Sequence, residues 1–224
     1  VLMTDVLNRL KMLITTLVSN EHTRIPFEGV AAFYRALQRG ASGAENNPIF
    51  YVSSSPWNLY GFLIEFFRKH EIPFGPIFLK DFGSHTIFKS GDHQSHKLEN
   101  IQKILDTFAH LPFVLIGDSG EQDPEIYYRV VKQYPNRIRA VYIRNVNPQP
   151  ERVESINKLV TEINKIGSEL VFAPDSEFAA RHAAEQNLIS AEELPNIKIE
   201  KTIDETAPTA GDIISERIKS GLTP

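Results

Sequence analysis

The strongest constraint on the fold is an alternation of short apolar runs and longer amphipathic segments along most of the chain. The short runs predict buried strands at 49–52, 76–79, 113–118, 140–143 and 170–172. Apolar residues recur at helical spacing at 30–39, after Pro56, and at 97–109, 124–134, 151–166 and 178–186. Strands that alternate with helices pair in parallel and are covered by helices on both faces. The sequence therefore predicts an α/β fold with a parallel sheet.

The two ends of the chain differ from this pattern. Near the start, Thr4 or Asp5 can cap a helix that runs to Val18, because the apolar residues between them lie close to one helical face. Beyond about Pro195 the sequence becomes polar and rich in Pro and Thr, which is typical of a flexible segment. We therefore expect a folded domain over 1–190, with a small helical segment at 1–48 and a sheet core at 49–190. A flexible tail is expected at 195–224.

Composition excludes several classes of protein. The formal charge is −4 and the estimated pI is 6.0, so the chain has no broad electrostatic attraction for nucleic acid. It contains no cysteine, which excludes a disulfide framework and a thiolate zinc site. No apolar stretch approaches the roughly 18 residues of a transmembrane segment. These features predict a soluble or peripheral membrane protein, cytoplasmic or membrane-associated, without a nucleic-acid partner.

A pair of carboxylates follows the third predicted strand. The run from Phe113 ends at Gly117, Asp118 comes next, and Asp123 lies five residues further on. Parallel strands deliver such residues to the carboxyl-end crevice of an α/β sheet, where these folds bind ligands. Magnesium is usually held by one or two protein carboxylates plus waters and phosphate oxygens. An ordinary strand-to-turn exit is the alternative interpretation, because Gly and Asp are common turn residues.

Other polar residues converge on the same predicted crevice. Ser53 lies at the end of one strand, and Lys97 begins the helix that leads into the strand ending at Asp118. A hydroxyl, an ammonium and a pair of metal-binding carboxylates are the groups that clamp a phosphoryl group while its charge shifts. A nucleophile is not evident. Aspartates serve this purpose in other enzymes, and one would be expected at the end of the central strand.

At these residues the sequence resembles a known family. The order Ser53, Lys97, Gly117-Asp118 and Asp123 is similar to the second, third and fourth motifs of haloacid-dehalogenase-type phosphohydrolases. Longer strings resemble, more specifically, the catalytic domain of the actin-patch-associated, magnesium-dependent phosphatidate phosphatases. These strings are Tyr51 to Asn58, Lys89 to Gly91, His96 to Asn100, Gly117 to Tyr127 and Tyr142 to Arg144. The resemblance covers roughly Val1 to Leu188.

The resemblance implies a three-layer αβα sandwich with a mainly parallel, haloacid-dehalogenase-like sheet, whose first strand would be missing from this chain. It implies that Ser53 hydrogen-bonds the phosphoryl oxygens and that Lys97 neutralises developing charge. It also implies that Asp118 ligates Mg²⁺ and that Asp123 ligates or supports the metal. Further substrate contacts are expected from residues beside these motifs, namely Ser54, Asn58, His96 and Arg144.

The first motif of the family, Asp-x-Asp-x-Thr, supplies the nucleophile and the acid/base. It does not occur in these 224 residues. The family places it immediately before a segment like Val1 to Thr4, so a truncated sequence is the favoured interpretation. Asp5 is a weak substitute because Leu7 occupies the position of the second acid, and Asp5 also suits a helix cap.

Three residues or groups keep alternative interpretations. His85, His93 and His96 are close in sequence, but their irregular spacing in a polar stretch favours surface histidines over a zinc site. Trp57 is expected to pack the junction between strand and helix. Arg144 is either a phosphate contact at the edge of the crevice or a surface ion pair.

The sequence therefore predicts a magnesium-dependent phosphatidate phosphatase, which releases diacylglycerol and phosphate and contacts membranes peripherally. One alternative is a phosphatase of the same fold that acts on a soluble phosphoester. Another is a non-catalytic module that binds phosphate or a lipid headgroup. Without its upstream motif, the chain as given is expected to be inactive.

Overall fold

The structure is a computed structural model, and it describes residues 28–80, 93–146 and 149–206, without the side chains of 93–95. The helices are α1 (Val30–Arg39), α2 (Tyr60–Lys69), α3 (His93–Thr107), α4 (Asp123–Gln133), α5 (Pro150–Lys165), α6 (Ser176–Glu185) and α7 (Leu194–Thr206). The strands are β1 (Tyr51–Pro56), β2 (Ile77–Lys80), β3 (Phe113–Asp118), β4 (Ile138–Arg144) and β5 (Leu170–Ala173). Short 3₁₀ turns lie at Trp57–Leu59 and Ala191–Glu193.

All strand pairs in the described residues are parallel, which confirms the predicted α/β class. Strand β1 pairs with β2, and β3, β4 and β5 form a second sheet in that order. In the second sheet, Asp118 lies opposite Arg144, and Arg144 lies opposite Ala173. The carboxyl ends of β3, β4 and β5 therefore share one edge, which carries Asp118 and Arg144.

Helices cover both faces of the strands. Along β4, Val141 and Ile143 pack with α3, α4 and α5, whereas Ala140 and Tyr142 pack with α1, α6 and α7. Adjacent residues of a strand point to opposite faces, so these two clusters form the two outer layers. Helix α2 lies on the α1 face, because Phe67 packs with Ala31. The result is the expected three-layer αβα arrangement.

The helices that connect successive strands lie on opposite faces of the sheet on the two sides of the gap between β1 and β3. The chain passes from β1 to β2 through α2 on one face, and from β3 to β4 through α4 on the other. Helix α3 connects the two sheets, and Phe108 just after it contacts Phe50 just before β1 with ring centroids 5.3 Å apart. In open α/β sheets, the carboxyl edge at such a reversal is the usual place for a ligand.

A cleft of about 750 Å³ lies at this reversal. Val52 and Ser53 of β1 line one side, and Val114, Ile116 and Asp118 of β3 line the other. Side chains from the helices on both faces of the strands complete the walls of the cleft. The cleft runs along the length of β1 and β3, and its end at the carboxyl edge, with Ser53 and Asp118, is where the sequence predicted a site.

Most element boundaries lie within a few residues of those expected, and α1 matches exactly. Strand β1 is the main difference, because it continues through the serines to Pro56 instead of ending at Val52. Three consecutive serines are unusual in a strand, and the pairing with β2 is irregular across them: it is regular at Val52 and resumes at Pro56, which lies opposite Lys80. The helix expected between Thr4 and Val18 lies outside the described residues.

The predicted flexible tail is wrong for residues 195–206, which form most of α7. The sequence there is polar, but its polar groups bind the body of the domain. The Gly29 amide donates to Asp204 at 2.8 Å, and the Lys201 ammonium lies 2.7 Å from an Asp175 oxygen. Ile197 is fully buried against α1 and α6. The rest of that tail, 207–224, lies outside the described residues.

The longest helix among the described residues is α5, with 16 residues, and its outer face carries several charged side chains. A helix needs about 20 mostly apolar residues to span the hydrocarbon core. Across 28–80, 93–146 and 149–206, no helix meets that requirement.

Candidate active site

The turn after β3 fixes the carboxylate of Asp118. Its Oδ1 accepts hydrogen bonds from the amides of Gly120 at 2.8 Å and Glu121 at 3.2 Å. This is an Asx turn, which holds a short acidic side chain against the following backbone. The second oxygen, Oδ2, accepts no hydrogen bond from any residue that the structure describes, and Asp118 lines the cleft. That oxygen is therefore available to a ligand in the cleft.

Asp123, the first residue of α4, is held directly against β3. It is only 6% exposed, and its Oδ2 accepts a hydrogen bond from the Asp118 amide at 3.3 Å. A Cβ added at Gly117 would lie 2.5 Å from that Oδ2 and 2.7 Å from the Asp123 Cβ. Position 117 therefore has to be glycine for Asp123 to occupy this place.

Lys97 links the two carboxyl-bearing segments. Its ammonium lies 2.7 Å from Asp123 Oδ1 and 2.5 Å from Glu121 Oε2, and its side chain is 11% exposed. Helix α3 begins at His93, so Lys97 lies one turn inside the helix rather than at its start. From there it faces the loop between β3 and α4, across the mouth of the cleft.

The charges of this group shift one another's protonation. Burial lowers the pKa of Lys97, but Asp123 and Glu121 outweigh burial and raise that pKa above its ordinary value. Burial raises the pKa of Asp123; Lys97 opposes this rise and the neighbouring Asp118 adds to it. An ammonium that remains charged beside two carboxylates supplies a fixed positive charge, which suits the binding of phosphate oxygens.

Ser53 faces this group from the other side of the cleft. Its hydroxyl oxygen accepts a hydrogen bond from the Ser55 amide at 3.1 Å, and Ser53 lines the cleft together with Lys97 and Asp118. His96 lies close to Ser53, because the Ser53 backbone acts on the His96 ring and raises its pKa, against the larger lowering by burial. The structure thus brings Ser53, His96, Lys97, Asp118 and Asp123 to one edge.

Burial is the main influence on the pKa of His96. Burial lowers its pKa most, and the nearby Lys80 ammonium lowers it further.

Replacing Lys80 by glutamine is expected to raise the pKa of His96 towards its ordinary value, since one unfavourable charge is removed from the neighbourhood of the imidazolium. A titration of the His96 ring resonances by NMR would measure this. Lys198→Gln, on the exposed side of α7, is the control, and an unchanged His96 pKa in Lys80→Gln would contradict the assignment.

Arg144 forms an ion pair, but not the plain surface pair that was one of the two interpretations from sequence. It forms an ion pair with Glu28 at 3.1 Å, and its side chain is largely buried at the edge of the cleft. In the sheet it lies beside Asp118. It is therefore not a plain surface residue, and its contact with substrate stays a prediction.

Three residues next to β1 do not occupy the expected places. Ser54 lies in the strand beside Ser53, but successive strand residues point to opposite faces, and Ser54 does not line the cleft. Asn58 is exposed on the following turn, outside the cleft. Trp57 does not pack the junction of strand and helix, because 67% of its surface is exposed. Leu59 is the residue of that turn that packs inward.

The predicted metal site depends on which donor side chains lie together at the cleft. His85 lies outside the described residues, and the His93 side chain is not described. In the ranges 28–80, 93–146 and 149–206 no three acidic, histidine or cysteine side chains converge as a complete metal site. Two carboxylates, Asp118 and Asp123, lie side by side at the cleft. This set fits Mg²⁺, which takes few protein ligands and completes its shell with water and phosphate oxygens.

Sequence reasoning missed Glu121 and two tyrosines. Glu121 binds Lys97 from between the two noted aspartates. The Tyr127 hydroxyl donates to the Ile116 carbonyl at 2.7 Å, on the cleft side of β3. Burial, with smaller contributions from Asp118 and Asp123, raises the pKa of Tyr34 to about 12, so this hydroxyl stays protonated inside the cleft. Tyr127 lies one helical turn after Asp123, and this spacing is the sequence feature that could have placed Tyr127 near the site.

Comparison with known proteins gives the family. A family profile described as the catalytic domain of phosphatidate phosphatase APP1 matches residues 1–145. The chain is 35% identical over 143 residues to phosphatidate phosphatase APP1 of Saccharomyces cerevisiae, covering 62% of this chain and 23% of that protein. It is 30% identical over 133 residues to an uncharacterised protein of Schizosaccharomyces pombe, covering 59% of this chain and 21% of that protein.

The chain thus spans less than a quarter of the length of these curated relatives. No solved structure matches it. The profile covers more than half of the chain and includes β1, β3 and the segments that carry Ser53, Lys97, Asp118 and Asp123. The chain belongs to the family of phosphatidate phosphatase APP1 catalytic domains.

Proposed function

We propose that this domain hydrolyses phosphatidate to diacylglycerol and phosphate in a magnesium-dependent reaction. The observation that carries the proposal is the buried ion pair between Lys97 and Asp123, which lies beside Asp118 at the mouth of the cleft. This arrangement concentrates one fixed positive charge and two carboxylates where parallel strands end. The family match supplies the class of reaction.

Each residue has a chemical role in the proposal. The Lys97 ammonium would neutralise charge on the phosphoryl oxygens, and the Ser53 hydroxyl would donate a hydrogen bond to one of them. The free oxygen of Asp118 would hold Mg²⁺, with Asp123 beside it as a ligand or as a support through water. When bound, Mg²⁺ would polarise the phosphoryl oxygens and stabilise the charge that develops during transfer.

The nucleophile is proposed to be the first aspartate of an Asp-x-Asp-x-Thr motif, as the family resemblance implies. The phosphoryl group would pass to that carboxylate as an aspartyl-phosphate, and water would then release phosphate. The position of the cleft supports this assignment. A parallel strand lying between β1 and β3 would end between Ser53 and Asp118, so a carboxylate at its end would meet the other groups.

The proposal is tested with a longer chain that carries this motif. Such a protein is expected to release phosphate from phosphatidate in detergent micelles when Mg²⁺ is present. Asp118→Asn should lower kcat by at least about a hundredfold, the scale for losing a preorganised electrostatic group. Lys158→Met, in an exposed ion pair of α5, is the matched control and should keep full activity.

A soluble phosphomonoester such as glycerol 3-phosphate is the second substrate in this assay. Turnover of the soluble compound alone would contradict the lipid assignment and favour a phosphatase of the same fold for small substrates. Binding of phosphate without turnover of either compound, in a chain with an intact motif, would favour a binding module. Activity that survives Asp118→Asn would contradict the proposed site.

A further inference from the structure

Three exposed aromatic side chains follow the end of β1 that carries Ser53. Trp57 is 67% exposed, Tyr60 46% and Phe62 47%, and we name these three residues the aromatic lip. They follow directly on Pro56, the last residue of β1, so they lie at the same carboxyl edge as Ser53. Exposed large apolar side chains are common singly, but three within six residues form a patch that marks a contact surface.

The sequence of this segment is unusual for a helix on the surface. Residues 57–64 contain no charged side chain, although Asn58, Tyr60 and Gly61 are exposed. Exposed positions of a helix in a water-soluble domain usually carry charged or polar groups. The core contact of this segment is made by its other side, through Leu59 and Phe67. The aromatic lip is therefore not needed to attach α2 to the domain.

A cationic side chain lies next to the aromatic lip. Lys80 ends β2 opposite Pro56, and its charge acts on His96, the residue before Lys97. Tryptophan and tyrosine concentrate where membranes meet water, since each has an apolar body and a polar tip. Lysine beside them attracts anionic headgroups. An aromatic edge with a neighbouring ammonium thus matches the interfacial region of an anionic bilayer.

We infer that the aromatic lip inserts into the interfacial region of a bilayer that contains phosphatidate, and holds the mouth of the cleft over the headgroups. This inference rests on the proposed function for the identity of the anionic lipid. Lys97, Asp118 and Ser53 would then face a phosphate presented by the membrane. The substrate would not have to leave the bilayer to reach them.

Trp57 is the only tryptophan of the chain, so its fluorescence reports this surface alone. The protein is mixed with phosphatidylcholine vesicles, with and without phosphatidate. With phosphatidate, the emission of Trp57 is expected to shift to shorter wavelength, and lipids brominated on their acyl chains should quench it. The measurement requires no turnover, so it is independent of the phosphatase assay.

Single substitutions test which side chains contact the bilayer. Tyr60→Ala and Phe62→Ala should each weaken vesicle partition by about tenfold, the scale of losing one buried aromatic side chain. The control is Phe74→Ala, because Phe74 is 54% exposed but precedes β2, at the opposite edge of the sheet. It should leave partition unchanged. All three variants remove a ring that is about half exposed.

An unchanged Trp57 spectrum at saturating phosphatidate vesicles would overturn the inference. Equal weakening by Phe74→Ala and Tyr60→Ala would also overturn it. A Trp57 shift that depends on protein concentration alone, with faster sedimentation and no response to vesicles, would replace it with a contact between two copies. A vesicle-dependent shift in a motif-bearing chain that never hydrolyses phosphatidate would support this surface and overturn the proposed function.

Discussion

Replacing Lys97 by methionine is expected to lower the free energy of unfolding by about 3 kcal/mol at neutral pH, the cost of breaking a buried ion pair by removing one partner. The reason is that Asp123 would remain buried beside Asp118 without its ammonium partner. Methionine keeps the length of the side chain, so the change is mainly one of charge. Chemical denaturation monitored by circular dichroism measures the effect.

The pH dependence of this variant follows from the pKa shifts. Lys97 acts to lower the pKa of Asp123, so its removal raises that pKa further above the value in the unfolded chain. A carboxyl group whose pKa is raised by folding destabilises the native state when it is ionised. The deficit of Lys97→Met should therefore shrink as the pH falls through the pKa of Asp123, and should be present in full above it.

Two further variants test the cause. Asp123→Asn combined with Lys97→Met should recover part of the lost stability, because no charge is then left buried without a partner. Lys158→Met removes an ammonium that pairs with Glu154 on the exposed face of α5, and should cost no more than about 0.5 kcal/mol. Equal losses for Lys97→Met and Lys158→Met would show that the buried pair has no special role.

Replacing Gly117 by alanine is expected to cost about 2 kcal/mol, the scale of overpacking a filled site. The added methyl group would lie 2.5 Å from Asp123 Oδ2 and 2.8 Å from its Cγ, so Asp123 would have to move. Movement of Asp123 would also lengthen its contact with Lys97. We therefore expect the variant of a motif-bearing chain to lose activity as well as stability, measured by denaturation and phosphate release.

Gly61→Ala is the matched control for this change. Gly61 lies in α2, and a Cβ at that position would meet no atom within 4 Å. Alanine is favoured over glycine inside a helix, so this variant should be unchanged or more stable by up to about 1 kcal/mol. A Gly117→Ala protein as stable and active as Gly61→Ala would contradict the close packing of Asp123.

The elements could be predicted from sequence because their physical signals are local. The spacing of apolar residues in α1 and the buried run of β3 depend only on neighbours along the chain. The convergence of Ser53 and Asp118 followed from a general property of parallel sheets, since the strands end at one edge. These two inferences required no knowledge of individual contacts.

Features that depend on distant partners were not predictable in this way. The segment of α7 is polar, and its contacts with distant residues, such as those of Asp204 with Gly29 and of Lys201 with Asp175, explain why it is ordered against the domain. Trp57 was expected to pack the junction between strand and helix, yet its turn points it outward and Leu59 inward. The pairing of Glu121 with Lys97 likewise requires the position of α3 relative to the β3 turn.

Because α3 joins the two sheets, the candidate site forms only when both parts of the domain come together. Ser53 belongs to the β1–β2 pair, Asp118 to the β3–β5 sheet, and Lys97 to the helix that joins them. Neither half alone contains the groups that would grip phosphate. Assembly of the site therefore requires long-range contacts between the two parts, and local separation of the β1–β2 unit would take the site apart while the larger sheet stays intact.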